Sequence, residues 1–308
     1  MRRRLILVVG ALVVAIPLVA YFAFPGLLLR FAQRVELDRA GLESASVEVG
    51  GHRIVYLIGG RGEPLILLHG FGADKSNWVR AAVYLTPHFR VVVPDLPGFG
   101  ESTRDPSSRY AVPDQVERVH AFVQTLGLHD VNVGGNSMGG AIAAVYAAHY
   151  PQEVKSLWLL APAFVESAKP SELDERLDHG ENPLLVDDVA GFERLLDFVF
   201  VKRPAIPGAF ERYLAEQAIV NRAFNEKIGR DFAAAPLALE KEVKGLPVPT
   251  LVMWGDHDRL VDVSGAEVLK SVMPKAEVVI LPDVGHIPMV ERPEEAAKAF
   301  LHFRGVAS

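Results

Sequence analysis

Along most of this chain, short apolar runs alternate with stretches whose apolar positions recur every three to four residues. The short runs are bounded by Gly, Pro or Asp and read as buried strands, while the longer recurrence reads as amphipathic helix. Residues 46–49 and 53–57 flank Gly50-Gly51, which reads as an opening hairpin. Further strands are expected at 65–68, 90–94, 131–133 and 155–160, with helices at 78–85, 113–126 and 138–149 between them. That alternation predicts an α/β fold with a mostly parallel sheet and helices on both faces.

From residue 166 to 247 the strand pattern stops, and helical patterns follow at 171–179, 188–199, 207–221 and 223–235. Strands resume at 250–254 and 277–281, and a last helix is expected at 293–303. The chain therefore divides into a core of residues 43–165 and 248–308, and an all-helical cap at 166–247. An insert so late in a parallel sheet is placed over the carboxyl ends of the strands, where open α/β sheets bind ligands.

The first 42 residues follow a different rule. Arg2-Arg3-Arg4 precedes an uncharged run from Leu5 to Leu29, interrupted by Pro17 and Pro25-Gly26. As a helix, 25 residues would span roughly 37 Å, more than the roughly 30 Å hydrocarbon core of a bilayer. The run is longer than the apolar segment of a signal peptide and has no small-x-small cleavage site, so a retained single-pass anchor is expected. The arginine triplet favours a cytoplasmic N-terminus. The folded domain then faces outward from the inner membrane, into the periplasm in a Gram-negative cell. Leu27, Leu28, Phe31, Val35 and Leu42 continue at helical spacing. They suit a helix linking anchor to domain, or one lying against lipid or a second subunit.

Composition narrows the chemistry. Of 308 residues half are hydrophobic, and the net charge is −6. Without a basic excess, nucleic acid is not an expected partner. There is no cysteine, which excludes disulfides, thiolate metal sites and a cysteine nucleophile. The roughly 270 residues after the anchor suffice for one large domain that buries about three quarters of its unfolded surface.

Residues 131–140, VNVGGNSMGG, are the most informative stretch. A strand runs into Gly135-x-Ser137-x-Gly139 and a helix begins at once, the strand–turn–helix context of a nucleophile elbow. Such a turn exposes the serine hydroxyl above the sheet, beside helix N–H groups that favour an oxyanion. No Gly-x-Gly-x-x-Gly dinucleotide fingerprint is present.

A serine nucleophile needs a base and an acid, and in a fold with this elbow they follow it in the order acid, then histidine. His286 lies in a Gly- and Pro-bounded loop after the last strand, whereas His302 lies within the final helix. The strand at 250–254 ends in Gly255-Asp256-His257-Asp258, where Asp256 and Asp258 both qualify by position and Asp262 is more distant. The Asp256-His257-Asp258 run has no evident further ligands, so no metal is expected. The oxyanion hole is expected from the Met138 N–H and from Phe71 in His69-Gly70-Phe71-Gly72, with His69 shaping that loop. The cap residues Phe192, Leu195, Leu196, Val199 and Phe200 are candidates to line an acyl tunnel, and equally could pack the cap on the core.

These motifs, with residues 95–102, DLPGFGES, resemble those of bacterial α/β-hydrolase lipases and esterases over roughly residues 45–305. With the anchor included, the chain is also similar to membrane-anchored monoacylglycerol lipases and bacterial membrane-bound phospholipases A. The resemblance implies the α/β-hydrolase fold and selects Asp258 as the acid, giving a Ser137–Asp258–His286 triad. It also implies cofactor-free hydrolysis of membrane glycerophospholipids, lysophospholipids or monoacylglycerols, and homodimers among such proteins. Carbon–carbon bond hydrolases of the same fold share Asn136-Ser137-Met138, but Ile287 stands where they typically carry tryptophan, and they are usually cytosolic. A short-chain carboxylesterase is the other alternative.

Overall fold

The computed structural model describes residues 21–306. Eight strands form one sheet: β1 (Leu42–Val49), β2 (His52–Gly59), β3 (Glu63–Leu68), β4 (Phe89–Pro94), β5 (Val131–Asn136), β6 (Val154–Leu160), β7 (Thr250–Gly255) and β8 (Ala276–Leu281). Their spatial order is β1-β2-β4-β3-β5-β6-β7-β8. The β1/β2 and β2/β4 pairs are antiparallel, and every other pair is parallel. The opening hairpin closes through Gly50 and Gly51 at φ 55° and 80°. Both central residues of such a tight turn need positive φ, which two glycines adopt without strain.

The central strands β6 and β7 are largely apolar on both faces because helices cover both, whereas the edge strand β8 is only partly buried. In β3, Ile66 and Leu68 enter one core with Val133 and Trp254, while Leu65 and Leu67 enter the other with Trp78, Trp158 and Phe300. Trp158 stacks on Phe300 at 4.6 Å between ring centroids. In chain order the helices are α1 (Pro25–Ala40), α2 (Val79–Leu85), α3 (Val112–Thr125), α4 (Met138–His149), α5 (Glu172–Asp178), α6 (Val189–Val199), α7 (Gly208–Ala233), α8 (Leu239–Glu242), α9 (Gly265–Val272), α10 (Pro288–Glu291) and α11 (Pro293–Phe303). All but two residues of α4 are buried, which fits its near-continuous Ala, Ile and Val sequence.

The segment between β6 and β7 holds only helices among the described residues. It differs from the sequence expectation in two respects: the short helix α8 is added, and the patterns at 207–221 and 223–235 form the single helix α7. Asn221-Arg222 reads as a break because Asn is a weak helix former. Neither Pro nor Gly interrupts the hydrogen-bond ladder there, and the helix continues. The two-turn α9 and the short helices α8 and α10 are additions to the expected elements.

Most of the expected anchor, residues 5–20, lies outside the described residues. Among those described, no helix is long and apolar enough to cross a membrane. Helix α1 ends at Gly41 in the left-handed conformation, whose N–H donates to the Asp38 and Leu37 carbonyls.

Candidate active site

Ser137 stands between β5 and α4 at φ 55° and ψ −121°, a conformation that costs a non-glycine residue free energy. The glycines around it are there for space. A Cβ on Gly135 would lie 2.1 Å from the Gly139 carbonyl oxygen, and one on Gly139 would lie 2.4 Å from that of Leu68. Strand and helix can approach this closely only without side chains at those positions. The turn is anchored by the Ser137 N–H, which donates to the Leu160 carbonyl at 3.0 Å. Met138 is the first residue of α4, so its N–H has no partner within the helix.

Phe71 lies in the loop after β3. His69, fully buried, braces this loop: its Nδ1–H donates to the Gly70 carbonyl at 2.8 Å, and its Nε2 accepts from the Leu96 N–H at 3.0 Å. Burial, the larger influence, pushes the His69 pKa down despite Asp95, which keeps the ring neutral as this double role requires. A Cβ on Gly70 would come within 3.3 Å of Ser137 Cβ, so the loop presses directly on the serine. Buried Asp95 fixes the next turn by accepting from the N–H groups of Lys75 at 2.8 Å and Glu101 at 2.7 Å, and from Lys75 Nζ at 2.7 Å.

The two aspartates after β7 have separate environments. The Asp258 side chain is completely buried, and its Oδ2 accepts from His286 Nδ1–H at 2.7 Å. Its Oδ1 accepts from the Leu260 and Val261 N–H groups at 2.8 and 3.1 Å. Asp256 is partly exposed and pairs with His257 at 2.6 Å. That bond lowers the Asp256 pKa and raises that of His257. With Nδ1 directed at a carboxylate, Nε2 is the nitrogen of His286 left for a substrate or nucleophile. That nitrogen is buried without a hydrogen-bond partner, and His286 shares a cavity wall with Ser137.

The His286 loop is held against the helical segment. Its N–H donates to the Val199 carbonyl at 2.9 Å, and buried Asn136 donates Nδ2–H to the His286 carbonyl at 3.0 Å. Glu291 joins the same parts: its carboxylate accepts from the N–H groups of Gly285 at 2.9 Å and Lys202 at 2.6 Å. On the far side, Glu172 accepts from Arg259 and Arg176, whose guanidinium groups lie 4.7 and 5.0 Å from the Phe198 ring. Chiefly through Arg259, these bonds lower the Glu172 pKa to about 2. Glu291→Ala should cut kcat/KM on a short-chain ester roughly 10- to 100-fold, because a misplacement of about 1 Å can cost a hundredfold. Steady-state kinetics with a parallel thermal unfolding curve checks this. A rate within twofold of wild type would show that the loop is positioned without Glu291.

The cavity has a volume of about 650 Å³ and is lined by Ser137, His286 and Phe71. All five expected tunnel residues, Phe192, Leu195, Leu196, Val199 and Phe200, are on its wall. Phe198 and Val199 are also buried in a small cluster with Leu260, so Val199 both packs and lines. Sequence reasoning did not anticipate that α1 contributes Leu29, Ala32, Gln33 and Glu36 to the same wall.

The α/β-hydrolase fold family matches residues 63–293. The chain belongs to the α/β-hydrolase family. It is 38% identical over 276 residues to Lipase 1 of Psychrobacter immobilis, covering 88% of this chain and 87% of that one. It is 28% identical over 309 residues to human monoacylglycerol lipase ABHD6, covering 94% and 91%. Among solved structures, a membrane phospholipase A described as a bacterial virulence factor shares 45% identity and a TM-score of 0.91, covering 99% of this chain and 98% of that one. With these relatives, this α/β-hydrolase is a carboxylic ester hydrolase.

Proposed function

We propose that this α/β-hydrolase is a membrane-associated lipase that releases fatty acids from glycerophospholipids, lysophospholipids or monoacylglycerols. The observation that carries the reading is the cavity at Ser137. Its volume of about 650 Å³ falls in the range of roughly 300–1,000 Å³ typical of ligand pockets. Its wall combines the apolar side chains of α6 with α1, whose first turn is the end of the N-terminal apolar run. That helix has a second apolar face. Phe24, Leu27, Phe31 and Val35 form an exposed stripe along α1, roughly opposite the residues that face the cavity. In the proposal this stripe rests on lipid, with the apolar run that precedes Pro25 as the anchor and the catalytic domain on the periplasmic side.

In this mechanism Ser137 Oγ attacks the ester carbonyl carbon as His286 Nε2 takes the hydroxyl proton. Asp258 stabilises the resulting imidazolium. The Phe71 and Met138 N–H groups receive the oxyanion. Collapse breaks the bond to the alcohol, which leaves with the proton from His286. Water then attacks the acyl-enzyme by the same path in reverse and frees the fatty acid and Ser137.

The test is fatty-acid release by the detergent-solubilised full chain from phospholipids, lysophospholipids, monoacylglycerols and short-chain esters. Release from at least one glycerolipid class is expected. Cleavage of short-chain esters alone would overturn the lipid reading and leave a general carboxylesterase.

A further inference from the structure

The cavity at Ser137 changes character along one helix. On a single face of α7, Phe210 and Leu214 are followed by Gln217, Asn221 and Asn225, all lining the cavity. The three amides stand at i, i+4 and i+8 and so form a row about 12 Å long. The row ends at the oxyanion loop, because a Cβ on Gly72 would come within 3.7 Å of Asn225 Nδ2. The same loop leads into Asn77 and Arg80, which also line the cavity, with Arg80 exposed.

An ester has an acyl side and an alcohol side. The apolar wall around α6 suits the first and would leave the polar groups of the second without partners. Three side-chain amides offer both donors and acceptors, which suits glycerol hydroxyls and ester oxygens. The guanidinium of an arginine matches phosphate oxygens through a fixed fork of N–H donors. Glu36 faces the same cavity, as does Asp74, whose carboxylate is occupied by the Ser76 N–H at 2.7 Å. Among the described residues neither Arg80 nor Glu36 has an ion-pair partner, so each charge remains available to a ligand. A headgroup with a phosphate and a terminal ammonium matches both signs, whereas a neutral glycerol matches neither.

We propose that the polar end of the cavity is a headgroup subsite for a phosphate-bearing glycerolipid, with Arg80 as its specificity-determining cation. This inference rests on the lipid-hydrolase reading and assigns that site's substrate class.

The test compares kcat/KM of the full chain in detergent on lysophosphatidylethanolamine and on a monoacylglycerol with the same acyl chain. The readout is the ratio of the two. Loss of a charge-assisted hydrogen bond at the exposed Arg80 should lower the Arg80→Ala ratio about tenfold. Arg80→Lys keeps the charge but loses the fork, and its ratio should lie between those of wild type and Arg80→Ala. It also decides the matter if Arg80→Ala does not fold. An unchanged ratio, including one in which both substrates slow equally, would overturn the subsite. If wild type hydrolyses short-chain esters but neither glycerolipid, the lipid reading fails and the subsite falls with it.

Discussion

Ser137→Ala is expected to lower ester hydrolysis by roughly a millionfold in kcat, the loss typical of removing a serine nucleophile from an assembled triad. The fold should survive. The strained backbone is set by the close packing of Gly135 and Gly139 against neighbouring carbonyls and by the Ser137 N–H bond to Leu160, none of which involves the hydroxyl. Alanine meets the same positive φ as serine, so the strain is neither added nor relieved. Kinetics on a chromogenic short-chain ester, with a thermal unfolding curve for each protein, separates the two effects. A variant that retains even a hundredth of the activity would place the nucleophile elsewhere.

Asp258→Asn should be nearly as severe, with kcat reduced about 10⁴-fold, because an amide in place of the carboxylate leaves the histidine in the wrong tautomer. Its partner is specific. The Asp258 side chain is fully buried and holds His286 Nδ1 at 2.7 Å, while Asp256, two residues earlier, is bonded to His257 near the surface. Asp256→Asn should therefore keep kcat within a few-fold of wild type. The comparison decides which aspartate orients the base: comparable losses in both variants, or a larger loss in Asp256→Asn, would contradict the assignment.

The elbow was legible in the sequence because its chemistry requires a steric device. Gly135 and Gly139 stand where any side chain would collide with backbone, and that need leaves a fixed spacing. The sheet was equally readable, since strands covered on both faces must be apolar throughout. Asp256 and Asp258 could not be separated by position, because one turn carries both and only the fold buries one of them. The resemblance to known lipases supplied that choice.

Other features left no pattern to read. Glu291 and Asp95 each join a nearby backbone N–H to one distant in sequence, and a backbone group carries no residue identity. The break expected near Asn221 reflects helix propensity. In the fold Asn221 lies mid-helix and lines the cavity, where its environment outweighs that propensity. The two-turn α9 is too short for helical periodicity to stand out between flanking strands. The place of α1 in the cavity wall could not be inferred from its amphipathic pattern, which says that a face is apolar but not what it meets.

The most direct test of the central claim is to treat the protein with a fluorophosphonate, which forms a covalent bond with an activated serine, and to map the adduct by peptide mass spectrometry. The account predicts a single adduct on Ser137 that forms in parallel with loss of ester hydrolysis and is strongly slowed in Asp258→Asn. An adduct on another serine, or full modification of Ser137 with hydrolysis undiminished, would contradict it.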